Sequence, residues 1–317
     1  MSDFDFSQEP ELAAYVEQLS AADATLRLLA VRQISDYADE YPQLFATAAR
    51  DADAGVRLEA ARALEGTVDG DAVEALADLL EDEVVEVATA AAESLAEILD
   101  DVVAPTLLKR LIPSRGFARA GLLGALRRLR VAEALAPALD SLDDASALVR
   151  REAVGVLAYL KAAEAVTALG TRAVEDSEVS VRLAATGALV YTVDPAALPF
   201  LLRALTDEDW QVREAAAITL GKTALAGSAD GLINALQDSS WEVRLKAANA
   251  LGTLREIRAV PGIIEALLHP VSNLRKEAAT ALGVIGDVAA RSALENALSD
   301  CDVEVRKAAQ RSLERLP

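Results

Sequence analysis

The sequence predicts an all-α solenoid (superhelix) of about ten two-helix repeats. Three observations predict it: a fixed period, an apolar stripe at helical spacing, and recurring helix-start residues. The pattern is clearest at Val243-Arg244-Leu245-Lys246-Ala247-Ala248-Asn249-Ala250-Leu251-Gly252. Aligned on its valine, the chain has anchors at Leu26, Val56, Val87, Ala118, Val149, Val181, Val212, Val243, Leu274 and Val305. Successive anchors lie 30, 31, 31, 31, 32, 31, 31, 31 and 31 residues apart. A leucine or isoleucine follows eight residues after each, from Ile34 to Leu313. Units of this length cannot bury their own apolar faces and stack on one another.

Each unit divides into two helices. From the anchor, apolar residues fall at +4, +5, +7 and +8, as in Val56, Ala60, Ala61, Ala63 and Leu64, one stripe of a 3.6-residue period. The spacing predicts second helices over stretches such as Asp71–Leu80, Ala196–Leu205 and Ala259–Leu268. Pro105, Pro199 and Pro261 stand 18 residues after their anchors and Pro137 stands 19 after. A first helical turn tolerates them, since the missing N–H has no helical partner there. Five residues before the anchor comes Asp51, Asp82, Asp144, Asp176, Asp207, Asp238 or Asp300. At a helix start such a residue is expected to accept free N–H groups. Residues 1–20 are acidic and are expected to form a tail running into a capping helix from about Glu9, with Phe4 and Phe6 as an alternative cover for the solenoid end. Residues 21–317 are expected to form one solenoid.

The residues resemble a known family, the HEAT-like repeats, in the short-unit subgroup named after phycobilisome lyases. The resemblance spans roughly residues 20–315. It is tightest where Asp207…Trp210-Gln211-Val212-Arg213…Leu220-Gly221 is followed by Asp238…Trp241-Glu242-Val243-Arg244…Leu251-Gly252. It implies a ladder between neighbouring units built from the aspartates and from Arg27, Arg57, Arg119, Arg150, Arg182, Arg213, Arg244, Arg275 and Arg306. Ala88 breaks the arginine series in the third unit. It also implies that Trp210 and Trp241 are turn aromatics. The iron-binding branch of the family, deoxyhypusine hydroxylase, uses repeated His-Glu pairs, which this chain lacks.

Hydrophobic residues make up 52% of the 317, and aromatics only 4%. An alanine–leucine core of this kind predicts close helix spacing and a curved rod of roughly 100 Å. One cysteine, Cys301, excludes an intrachain disulfide and suits a reducing compartment, so a cytoplasmic, soluble and monomeric protein is expected. Neither a signal peptide nor an apolar membrane span is evident. The net charge of −20 argues against general nucleic-acid binding. Residues 65–101 carry 13 acidic and no basic residues. Residues 102–132 then carry Lys109, Arg110, Arg115, Arg119, Arg127, Arg128 and Arg130 with no acidic one. Either neighbouring turns offset each other, or these form a patch for an anion or acidic partner.

Catalytic chemistry finds little support. His269 is the single histidine, in a slot where other units carry aspartate, and reads as a turn residue. One His and one Cys cannot build a zinc site, and no Gly-rich phosphate loop is present. No metal or cofactor is expected. The positive signal lies on the anchor helices, where position +6 reads Gly124, Gly155 and Gly187 in three successive units. Each glycine costs roughly 0.5–1 kcal/mol relative to alanine in a helix. Two explanations stand: close helix packing, or a shallow floor for a partner helix, peptide or flat ligand. Position +10 reads Arg128, Tyr159 and Tyr191 in the same units, and Arg151 adds a donor, a composition suited to an interaction surface. The expected function is a non-catalytic scaffold binding a protein, through an acidic or helical segment, in the concave groove. The alternative is a bilin lyase subunit or cofactor-assembly factor.

Overall fold

A computed structural model describes residues 10–192 and 194–317. It falls into two compact units, the first ending at Leu160 and the second spanning Lys161–Pro317. The first contains α1 (Pro10–Gln18), α2 (Ala24–Gln33), α3 (Pro42–Ala48), α4 (Ala54–Ala63), α5 (Gly70–Leu79), α6 (Val85–Ala96), α7 (Ala104–Leu111), α8 (Gly116–Leu129), α9 (Leu135–Ser141) and α10 (Ala147–Leu160). The second contains α11 (Val166–Glu175), α12 (Val179–Ala188), α13 (Leu198–Ala204), α14 (Trp210–Thr223), α15 (Ser228–Ala235), α16 (Trp241–Thr253), α17 (Val260–Ala266), α18 (Ser272–Ile285), α19 (Arg291–Ala297) and α20 (Val303–Leu313). No strand occurs among the described residues. The expected acidic tail, with Phe4 and Phe6, lies outside them.

Within each unit the anchor helices, even-numbered, form one layer. The odd-numbered helices form the other, each packed on the anchor helix that follows it. The anchors and the +8 leucines meet between the layers: Val56, Val87 and Val149 are at most 1% exposed, and Leu64, Leu95, Leu126 and Leu157 likewise. Each buried leucine contributes roughly 1.5–3 kcal/mol. Leu26 departs from the pattern at 44% exposure, although Ala30, Val31 and Ile34, at +4, +5 and +8, are buried as in the other repeats. Pro105, Pro199 and Pro261 are each the second residue of α7, α13 and α17, and Pro137 the third of α9.

The role expected for the −5 aspartates is corrected by the structure. The helix-capping residue stands at −3 instead, where Asp53 Oδ1 accepts from Gly55 and Val56 N–H, and Asp302 Oδ1 from Glu304 and Val305 N–H. The −5 aspartate bonds the N–H of that capping residue, as Asp51 does for Asp53 and Asp207 for Asp209. Its main partner is the arginine one unit earlier. Arg57 Nε and Nη2 donate to the two carboxylate oxygens of Asp82 at 2.6 and 2.9 Å, while Nη1 donates to the Asp51 and Ala52 carbonyls. Arg27–Asp51, Arg182–Asp207, Arg213–Asp238 and Arg275–Asp300 repeat the bidentate geometry. Each rung ties two turns with charge-assisted hydrogen bonds. The hydrogen bonds from Arg275 hold the Asp300 carboxyl down at about 2.

Candidate functional site

A shallow recess of the first unit lies on its anchor-helix face, where α6, α8 and α10 run side by side. It is a cup of about 240 Å³. Thr89, Ala92, Glu93 and Ala96 come from α6, Phe117, Ala120, Gly121, Gly124 and Arg127 from α8, and Leu148 and Glu152 from α10. Ala120, Gly121 and Gly124, at +2, +3 and +6 from Ala118, lie off the apolar stripe and leave a shallow floor where no long side chain crosses it. Phe117 stands 41% exposed at the edge.

The three glycines at +6 have different surroundings. A methyl on Gly124 would find only the Glu152 carboxylate, at 3.8 Å, so this glycine opens the floor. Gly187, on α12 of the second unit, has nothing within 4 Å of that position. Gly155 is covered instead: Arg127 Cδ lies 2.9 Å from where its Cβ would be. On α10, Glu152, Gly155 and Tyr159 follow at +3, +6 and +10, a single stripe. Arg127 lies along it, its Nη1 3.2 Å from Glu152 Oε2 and its guanidinium 5.9 Å from the Tyr159 ring. Arg130 flanks the same ring at 5.3 Å. Gly155 is therefore the gap through which Arg127 passes. Gly121 likewise serves packing, since its Cβ would meet Leu80 Cδ2 at 2.8 Å. Tyr191, like Gly187, belongs to the second unit, where it is 52% exposed.

The basic run does not gather into one patch. Lys109 and Arg110 lie on α7, in the layer opposite the cup, and Arg110 pairs with Glu74 and Asp78. Arg115 donates to the carbonyls of Ile112, Pro113 and Ser114. Arg119 is a ladder residue on Ser141 Oγ, with Asp144 at 3.8 Å. Arg128 donates to the Ala96 carbonyl and pairs with Glu97 at 3.0 Å. Arg151 pairs with Glu152. The acidic stretch and the basic stretch after it thus meet across neighbouring turns. The residues that sequence reasoning missed are Phe117, Leu148 and the Glu93–Glu152 pair of rim carboxylates. Phe117 alone carried a signal, as one of five phenylalanines in the chain.

In the second unit, His269 takes the aspartate slot, and its Nδ1 accepts the Val271 N–H at 3.1 Å. Arg244, which would have paired with an aspartate there, turns its Nε onto the Asp238 carbonyl. Burial, with Arg244 and Arg275 nearby, holds the imidazole pKa below its usual value. The unfolded chain therefore takes up the proton first. The stability contribution is complete above about pH 6.5 and is lost as the pH falls below it. His269→Asp should remove this dependence and return a carboxylate to Arg244, adding about 1 kcal/mol at pH 7. Thermal melts of both proteins between pH 5 and 7.5 check it, and parallel slopes would contradict the assignment. Cys301 is exposed, its Sγ 3.6 Å from Asp300 Oδ1. Among the described residues no cluster of three or more His, Cys, Asp or Glu could hold a metal ion, and no helix is long and apolar enough to cross a membrane.

Comparison with known structures agrees with the architecture. An engineered protein of known crystal structure is 21% identical, over 96% of this chain and 98% of its own, with a TM-score of 0.53. The Escherichia coli protein YibA is 20% identical, over 93% of this chain and 98% of its own, with a TM-score of 0.55. The crystal structure of Kap121p bound to Nup53p gives 16% identity and a TM-score of 0.70, and this chain spans 97% of its own length but 41% of that protein's. At these identities the likeness is one of fold alone. No curated protein matches the chain. Residues 41–127, 132–221, 166–237 and 229–314 each match the HEAT-repeat family, so that the ladder, the two layers and the matched stretches agree. The chain belongs to the HEAT-repeat family.

Proposed function

We propose that this protein is a non-catalytic scaffold that binds a protein partner, and that the cup on α6, α8 and α10 is its contact surface in the first unit. The observation that carries the reading is an open apolar floor, made by Gly124 with Ala92, Ala96, Phe117, Ala120, Gly121 and Leu148, and rimmed by Glu93, Arg127 and Glu152. Apolar surface left uncovered beside polar residues is characteristic of interaction sites. The fold supports the reading by analogy, since Kap121p of similar architecture was crystallised bound to Nup53p and to Pho4p. A cytoplasmic location is part of the same proposal and rests on the single cysteine.

The bilin lyase or cofactor-assembly reading, which the subgroup resemblance suggested, has less support. Sites for drug-sized ligands typically run from about 300 Å³ upward, and the cup is about 240 Å³. Arg128 and Arg151, the residues expected to hold ligand carboxylates, are engaged by Glu97 and Glu152.

Gly124→Leu tests the proposal, because the added side chain fills the cup without meeting backbone. Capture of the partner from extracts of the source organism should fall at least tenfold, with helicity and melting temperature retained. Equal capture by both proteins would remove the cup from the binding surface. Gly155→Arg is a poorer probe, since it displaces Arg127 from Glu152 and Tyr159.

A further inference from the structure

We infer that the cup takes one bulky apolar side chain, of leucine or phenylalanine size, from a basic segment of the partner, and that Glu93 receives the neighbouring lysine or arginine. The inference rests on the scaffold reading above and names the chemistry of its partner. Size sets the first half: about 240 Å³ suits a single side chain rather than a whole ligand. The lining decides its character, since Phe117, Leu148, Ala92 and Ala120 are apolar and, beside the ionised groups, Thr89 is the one polar side chain among the lining residues. An apolar anchor in a small pocket is also how binding energy concentrates at protein interfaces.

Charge sets the second half. Three ionised groups line the cup: Arg127, Glu152 and Glu93. Arg127 and Glu152 are bound to each other, and Arg151 adds a second cation to Glu152. Glu93 is exposed and has no ion-pair or hydrogen-bond partner among the described residues. Arg127 and Arg151 share the single Glu152 carboxylate, so Glu93 is the one ionised lining group left without a partner, and the whole chain carries −20. A free carboxylate on a strongly acidic chain favours a basic segment over an acidic one. It reverses the expectation of an acidic partner, which counted the arginines before their carboxylates were placed.

The test uses the full chain with labelled alanine and leucine methyl groups and four nine-residue peptides. Each has phenylalanine or alanine at its centre, flanked by two lysines or by two glutamates. The lysine-flanked phenylalanine peptide should shift the methyl signals of Ala92, Ala120 and Leu148 saturably. It should bind at least tenfold more tightly than the other three. Gly124→Leu should abolish those shifts, and Glu93→Lys should transfer the preference to the glutamate-flanked phenylalanine peptide. Equal binding of phenylalanine and alanine peptides, or of lysine and glutamate flanks, would overturn the inference. So would shifts confined to methyl groups outside the cup. If Gly124→Leu loses the natural partner while the peptides show no flank preference, this inference fails and the scaffold reading stands.

Discussion

Asp207→Ala should destabilise the second unit by about 3–5 kcal/mol, the cost of leaving one member of a buried ion pair without its partner. Arg182 and Asp207 have side chains only 6% and 8% exposed. Arg182 Nε and Nη2 lie 2.8 and 3.0 Å from the two carboxylate oxygens, and Nη1 donates to the Asp176 carbonyl. The substitution leaves a guanidinium already committed to its own turn with only the outlying Glu208 carboxylate, 3.3 Å from Nη2 and 86% exposed, and it also removes the acceptor of the Asp209 N–H. The comparison is Asp230→Ala, which breaks a pair with Arg258 whose side chains are 79% and 61% exposed. That pair is screened by solvent on all sides and should contribute far less than the buried rung. Urea unfolding followed by the fluorescence of Trp210 and Trp241, both in the second unit, measures the two variants side by side. A loss in Asp207→Ala no larger than in Asp230→Ala would show that the rungs do not hold the repeats together.

The repeat was legible because its marks recur. Val56, Val87 and Val149 occupy one register and are all buried, so an alignment of the chain on itself finds the core. The aspartates at −5 recur as strongly, but recurrence did not reveal their partner. The true capping position is Asp23, Asp53, Asp209 and Asp302 in four repeats but Val84 and Glu178 in others, so it recurs less regularly than the −5 aspartate. Of the cup's lining, the sequence marked Gly124 in the +6 row and Arg127 in the basic run. Its other walls lie on three helices about thirty residues apart, and the sequence alone does not say how far one helix is shifted along the next. For the same reason Arg110 and Asp78, which are 32 residues apart in sequence, looked like members of two separate charge runs. Stacked one turn above another, they are partners. Gly155 looked like its neighbours in the row until Arg127 was seen to lie across it.

Gly221→Ala should lower stability while Gly187→Ala raises it, although both place the same methyl on an anchor helix of the second unit. At Gly187 nothing lies within 4 Å of the added carbon, so the helix gains the roughly 0.5–1 kcal/mol by which alanine is preferred over glycine. At Gly221 the methyl would lie 2.7 Å from Ala250 Cβ and 3.0 Å from Ala250 Cα on α16. Neither atom can rotate away, so α14 and α16 must separate along their contact. Overpacking of this kind costs about 1–3 kcal/mol and outweighs the propensity gain. Gly252 against Ala281 and Gly283 against Ser312 repeat the arrangement, always a glycine at +9 facing a small residue at +7 of the next anchor helix. The row that serves close packing is therefore the one at +9, while the +6 row holds two open glycines and the gap beneath Arg127. Thermal melts of the two alanine variants should move in opposite directions by a few degrees. Equal stabilisation by both would mean that the helices have room to spare at Ala250, and the packing role of the +9 glycines would fall.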